Sequence, residues 1–229
     1  ALRSGAGLVS VLTQAEHIGP LLTRSPEIMV KAADQVDAIE SEIASADAVV
    51  LGPGLGQNEW GQAMFARVIA AVESYDKKLV CDADALNLLS NAQRSPYHNQ
   101  VITPHPGEAS RLLGCTVRQI EDDRFNAAEQ LTTKFGGVAV LKGAGSLIKQ
   151  GNERCRVANV GNPGMATGGM GDVLSGVIGS LLAQGLSLED AASLGVCWHG
   201  ESADAMVQQL GVVSLCASDV VTGLAAAIR

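Results

Sequence analysis

Short apolar runs separated by segments of helical period organise this chain. The runs are Leu8-Val-Ser-Val-Leu-Thr13, Asp47-Ala-Val-Val-Leu51, Lys78-Leu-Val-Cys-Asp82, Gln100-Val-Ile-Thr103 and Gly137-Val-Ala-Val-Leu141. Runs of this length predict buried strands. Between them the spacing predicts helices over residues 36–46, where Val36, Ile39 and Ile43 share a face, and over 59–74, 109–113 and 117–135. The charges Glu121, Asp122, Asp123 and Arg124 read as the solvated face of that last helix. A short helix follows Asp82. Residues 1–7 read as a helix end with a glycine stop, 17–22 as a short helix and 27–30 as a short strand. Leu147-Ile-Lys149 and Arg154-Cys-Arg-Val157 suit an antiparallel pair turning at Gly151-Asn152. Three helices close the chain, over 170–184, 188–209 and 218–228, with His199 read as a packing or surface residue. Strands alternating with helices predict an α/β fold with a mostly parallel sheet covered on both faces.

Composition narrows the possible partners. The chain carries 24 acidic against 16 basic residues, a formal charge of −8. No basic surface exists to grip nucleic acid or an anionic membrane, so a bound phosphate must be held by backbone dipoles and a few local cations. With 47% hydrophobic but 3% aromatic residues, the core is built from Ala, Val, Leu and Ile. The five cysteines are scattered without metal-ligand spacing, which reads as buried free thiols in a reducing cytoplasm. No apolar run reaches membrane-spanning length.

Glycines mark the candidate chemistry. Gly52-Pro-Gly-Leu-Gly56 follows a strand and precedes a helix, which suits either ligand contact or the geometry of the connection. Asp82, Asp84 and Asn87 stand at the end of another strand, either to orient a substrate or metal-bound water, or to cap a helix. Pro104-His-Pro-Gly-Glu108 sets His105 and Glu108 at one mouth. Lys142-Gly-Ala-Gly-Ser146 suits a phosphate or adenine site, or a hairpin corner with a surface lysine. The densest cluster is Asn162-Pro-Gly-Met-Ala-Thr-Gly-Gly-Met-Gly-Asp172, running into an apolar helix. Its N–H groups and the helix N-terminus favour an anion. Asp172 is the one ionisable side chain there and would repel a phosphate, which favours a general base over a simple helix cap. The Walker A pattern is absent, and the spacing after Gly52 is not the dinucleotide fingerprint.

Taken in order, Gly52-Pro-Gly-Leu-Gly56, Asp82-Ala-Asp-Ala-Leu-Asn87, Thr103-Pro-His-Pro-Gly-Glu108, Leu141-Lys-Gly-Ala-Gly145 and the loop ending in Asp172 resemble the ADP-dependent NAD(P)H-hydrate dehydratases of the ribokinase-like superfamily. The likeness spans the chain and is strongest to the C-terminal half of bacterial bifunctional repair proteins whose N-terminal half is an epimerase. It implies a three-layer sandwich over residues 1–229, with ADP (or ATP) and magnesium as cofactors. The implied reaction phosphorylates the ring hydroxyl of the S epimer of hydrated NADH or NADPH and then eliminates phosphate. Asp172 would activate that hydroxyl, and Gly168, Gly169 and Gly171 would form the anion hole. Lys142, Gly143, Ala144, Gly145, Ser146 and Gly171 would bind the nucleotide. Gly54, His105 and Asp172 would contact the substrate. Glu108 would reach magnesium through water.

The resemblance also implies a cytoplasmic homo-oligomer, with a tetramer as one form, and an epimerase domain fused upstream. Family members carry a further strand and glycine-rich loop ahead of Ala1, so the chain is expected to be either a fragment of a longer product or an impaired enzyme. The runner-up is a small-molecule kinase of the same superfamily, similar to hydroxyethylthiazole kinase. A third reading is a nucleotide-binding regulatory domain without turnover. His105-Pro-Gly-Glu108 fits the dehydratases better than the kinases.

Overall fold

The computed structural model describes residues 1–33 and 36–227, the side chains of 36–38 excepted. The strands are β1 (Ser10–Thr13), β2 (Met29–Ala32), β3 (Ala48–Leu51), β4 (Lys78–Cys81), β5 (Gln100–Ile102), β6 (Val138–Leu141), β7 (Leu147–Gln150) and β8 (Arg156–Val157). The helices are α1 (Ile18–Arg24), α2 (Val36–Ser45), α3 (Glu59–Ser74), α4 (Ala83–Asn91), α5 (Pro106–Leu113), α6 (Val117–Asp122), α7 (Arg124–Phe135), α8 (Met170–Ala183), α9 (Leu188–Leu210) and α10 (Ala217–Ala227). Residue 228, the last of the expected final helix, lies outside the described residues, as does the side chain of Val36.

One six-stranded sheet runs in the order β3-β4-β5-β6-β7-β8, parallel from β3 to β6 and antiparallel thereafter. Strand pleating sends alternate residues to opposite faces. Leu79, Cys81, Ile102, Ala139, Leu141 and Leu147 join a core with α2 to α7. Val80, Val101, Val138, Val140 and Ile148 join a second core with α8, α9 and Leu224 of α10. Both faces of the central strands β4 to β6 are therefore dry, which is why these runs show no polar alternation. The result is a three-layer α/β sandwich.

Three expectations are corrected. The strand at Leu8 does not join the alternating array; β1 pairs with β2 in a separate two-stranded parallel sheet. An apolar run identifies a strand but not its partner. The long helix over 117–135 is two helices, broken at Asp123 (φ −146°, ψ 80°), whose carboxylate accepts the Asn126 N–H at 3.0 Å. An Asp that caps a new helix costs little, and the apolar period runs on across the break, so periodicity alone conceals it. Helix α5 also starts three residues earlier than expected, with Pro106 at its first position.

Candidate active site

The parallel strands β3 to β6 deliver their carboxyl ends to one rim, and the chemistry-bearing loops follow from there. After β3, Gly52 takes φ +129°, and a Cβ there would overlap the backbone oxygen of Asp82. Glycine is thus required for the turn to pass under β4. Gly54 (φ +68°) has open space where a side chain would stand. The Gly56 N–H donates to Asp84 Oδ2 at 2.9 Å, and Gln57 Nε2 donates to Asp84 Oδ1 at 3.1 Å.

Asp82 and Asp84 do not cap α4 with their side chains. Between them Ala83 adopts φ +49°, an uncommon conformation for a residue with a Cβ. Asp84 turns to the glycine loop, and Asp82 turns inward. Asp82 is 1% exposed. Its Oδ1 accepts from Lys142 Nζ at 2.8 Å, and its Oδ2 accepts from Ser175 Oγ at 2.6 Å. Burial alone would raise its carboxyl, but the Lys142 ammonium and the Ser175 and Thr103 hydroxyls hold it below the usual carboxylate value. Asn87, the third candidate on this segment, accepts from Arg111 Nε at 2.8 Å.

His105 and Glu108 form a capping box at the head of α5. The His105 Nδ1 accepts from the N–H groups of Gly107 and Glu108 at 3.0 and 3.3 Å, which places the neutral ring's proton on Nε2. Glu108 Oε2 accepts the His105 N–H at 2.7 Å and lies 3.6 Å from Lys142 Nζ. The half-exposed His105 ring faces outward at the rim, while Glu108 is buried.

Lys142 is the hub. Its N–H donates to the Pro104 carbonyl at 2.9 Å. Its side chain runs inward to Asp82 and Glu108 rather than out along the loop it opens. The loop from Lys142 to Ser146 is closed by Ser146 Oγ, which accepts the Gly143 N–H at 3.3 Å and donates to the Gly143 carbonyl at 3.2 Å.

The central loop is pinned at its start by Asp204 of α9, which accepts from the Gly161 N–H and from Asn162 Nδ2, both at 2.8 Å. At its end Gly169 (φ +86°) is the N-cap of α8 and Asp172 is the third residue of the helix. The N–H groups of Met170 to Asp172 therefore have no acceptor within the helix. Gly168 has open space around it, whereas a Cβ on Gly171 would stand 3.2 Å from Lys142 Nζ and 3.5 Å from Asp82 Oδ2. Asp172 makes no capping bond, and it is exposed at the head of α8. Partial desolvation first, then the negative charge of Asp82, raise its carboxyl above the usual value, with Lys142 pulling the other way. A more basic carboxylate beside orphaned amide donors suits proton removal from a hydroxyl next to a developing phosphate charge.

Gly171, Asp172, His105, Glu108 and Lys142 are thus brought to one rim with Gly54. Three further residues escaped the reading of the sequence, and His199, read as a packing or surface residue, is a packing one. Ser175 lies one helical turn beyond Asp172, a spacing that offered a signal. Arg124 and Asp204 carry none, since their partners lie 17 or more residues away. His199 is 5% exposed, and its Nε2 has no partner among the described residues. Burial first, then the Lys142 charge, push its ring down to about 4, so it is neutral.

Comparison with known proteins now decides the family. A family model described as NAD(P)H-hydrate dehydratase matches residues 1–224. The chain belongs to the NAD(P)H-hydrate dehydratase family. It is 50% identical over 224 residues to the Escherichia coli K12 bifunctional NAD(P)H-hydrate repair enzyme Nnr, covering 98% of this chain and 42% of that protein. The chain therefore spans less than half the length of that curated relative. A solved ribokinase-like superfamily protein from Enterococcus faecalis V583 aligns at 30% identity with a TM-score of 0.88, covering 98% of this chain and 78% of the other. A Bacillus subtilis ADP/ATP-dependent NAD(P)H-hydrate dehydratase, co-crystallised with ATP and magnesium, aligns at 28% identity with a TM-score of 0.84, covering 99% and 80%. The α/β sandwich is thus the ribokinase-like fold of this family.

The side chains do not fit a metal ion held by the protein itself. The Glu108 carboxylate is engaged by the His105 N–H and the Lys142 ammonium, and Asp82 by Lys142 and Ser175. Among the described residues no group of three or more His, Cys, Asp or Glu is arranged to hold one.

Proposed function

We propose that this chain catalyses the ADP-dependent dehydration of the S epimer of hydrated NADH or NADPH. The observation that carries the reading is Asp172, uncapped and exposed, set among the unpaired N–H groups at the head of α8 with its basicity raised. In the reaction the ring hydroxyl attacks the β-phosphorus of ADP while Asp172 takes the hydroxyl proton. A P–O bond to the ring forms, the bond within ADP breaks, and AMP leaves. The electron pair of the ring nitrogen then expels inorganic phosphate by breaking the C–O bond. Loss of a proton from the neighbouring carbon restores the dihydronicotinamide.

Gly168, Gly169 and Gly171 would receive the transferred phosphoryl group through their N–H groups, with the Lys142 ammonium close to Gly171. Lys142 to Ser146 would seat the nucleotide, and Gly54 and His105 the hydrated cofactor. Magnesium is assigned to the phosphates of the nucleotide, and no step depends on a carboxylate of the chain releasing its partners to bind it. A homo-oligomer, a cytoplasmic setting and an epimerase domain in the longer protein complete the proposal.

The test follows absorbance of regenerated dihydronicotinamide when the protein is given hydrated NADH, ADP and magnesium. Recovery that needs ADP, releases AMP and phosphate, and is lost in Asp172→Asn supports the reading. A stable phosphorylated product would favour the kinase alternative, and recovery without any adenine nucleotide would refute the mechanism.

A further inference from the structure

The loop from Lys142 to Ser146 connects two paired strands, β6 and β7, and something must hold its peptide groups in one orientation. Gly143 (φ +152°) and Gly145 (φ +69°) give it conformations that the backbone does not adopt by default. The Ser146 hydroxyl bridges Gly143 from within the loop, and a second restraint comes from outside the hairpin, from the first residue of α7. Arg124 Nη1 donates to the Ala144 carbonyl at 2.7 Å, and Nη2 donates to the Leu141 carbonyl at 3.2 Å. The guanidinium fork thus straddles Lys142 and Gly143. A Cβ on Gly143 would stand 2.8 Å from Nη2, so a side chain there would push the guanidinium aside, and at φ +152° it would also strain the backbone.

Peptide planarity turns these two bonds into an orientation for the loop. In a trans peptide the N–H points opposite to the carbonyl. With the Leu141 carbonyl held by Arg124, the Lys142 N–H faces the other way and reaches the Pro104 carbonyl at 2.9 Å. With the Ala144 carbonyl held likewise, the Gly145 N–H is turned away from Arg124. Arg124 also takes part in no ion pair among the described residues, although the protein as a whole carries −8. Its charge at this loop thus has no ion-pair partner among the described residues, and the half-buried thiol of Cys155 also feels it.

We infer that Arg124 is the positioning residue of the nucleotide loop: it fixes the peptides on either side of Lys142 and Gly143, leaves the Gly145 N–H turned away from itself, and supplies a fixed positive charge for an anionic nucleoside diphosphate. This rests on the dehydratase reading above. Lysine cannot replace the residue, because an ammonium lacks the planar fork that spans two carbonyls.

The test measures ADP binding by calorimetry, and KM for ADP and for hydrated NADH, in wild type, Arg124→Ala and Arg124→Lys. Both variants are expected to lose ADP affinity by about tenfold or more, with KM for the hydrated cofactor within about twofold. Millimolar guanidinium is expected to restore ADP affinity in Arg124→Ala, which a general loosening of the fold would not allow. Gly143→Ala, which displaces the fork while leaving Arg124 in place, is expected to copy the ADP defect and to resist rescue. Wild type that binds ADP alongside a folded Arg124→Ala of unchanged affinity overturns the inference alone. Equal loss towards both substrates also overturns it. Wild type that does not bind ADP overturns the dehydratase reading and this inference with it. Should Arg124→Ala fail to fold, Arg124→Lys and Gly143→Ala carry the same comparison.

Discussion

Replacing Asp82 by Asn removes the charge around which the site is assembled while keeping its shape. The Asp82 carboxylate is 1% exposed and the Lys142 side chain 19% exposed, joined at 2.8 Å. Stripping one partner from a buried ion pair costs about 3–5 kcal/mol. Here Glu108 Oε2 remains 3.6 Å from the ammonium and the Ser175 hydroxyl can still bond the amide, so about 2–3 kcal/mol is expected. In a domain of this size that lowers Tm by about 4–12 °C, read by calorimetry. The sign of the pH dependence follows from the direction of the shift. Because folding lowers the Asp82 carboxyl below its usual 3.8, its stabilisation is present above that pH and is lost as pH falls through the folded value. The Tm gap between wild type and Asp82→Asn should therefore be full at neutral pH and shrink below about pH 4. Catalysis offers a second readout. The Asp82 charge helps raise Asp172, so the acid limb of kcat/KM should move to lower pH in the variant. An unchanged Tm, or an acid limb that stays put or moves upward, would refute the assignment of Asp82 as the charge that sets both Lys142 and Asp172.

Asp172→Asn should abolish turnover yet raise Tm at neutral pH. Folding raises this carboxyl, so its ionised form weakens the native state as pH rises; a thermal scan checks the direction. Gly52→Ala should cost about 4 kcal/mol or more and yield little folded protein, because the new methyl meets the Asp82 carbonyl; soluble yield and circular dichroism test it. Asp123→Ala removes the cap of α7 and should cost about 1 kcal/mol in urea unfolding, which gauges how firmly the helix that carries Arg124 is seated.

Much of this molecule was legible from local pattern. The strands of the parallel core are short runs dominated by apolar residues with no polar alternation, as a sheet covered on both faces demands. The glycine at 52 announced a turn that a Cβ would obstruct, and the glycines before Asp172 announced a loop that opens a helix. Those inferences depend on forces acting over a turn or a few residues, which order along the chain records directly.

The charge network could come only from the assembled fold. Lys142 stands 60 residues from Asp82 and 34 from Glu108, and they meet because β4, β5 and β6 pair in parallel with their ends in register. Ser175 reaches Asp82 from a helix on the opposite face of the sheet, and Arg124 left an expected solvent face once the helix broke at Asp123. The partner of β1 was equally hidden. An apolar run specifies that a segment will be buried, whereas which carboxylate an ammonium meets depends on distances that exist only after the layers have packed.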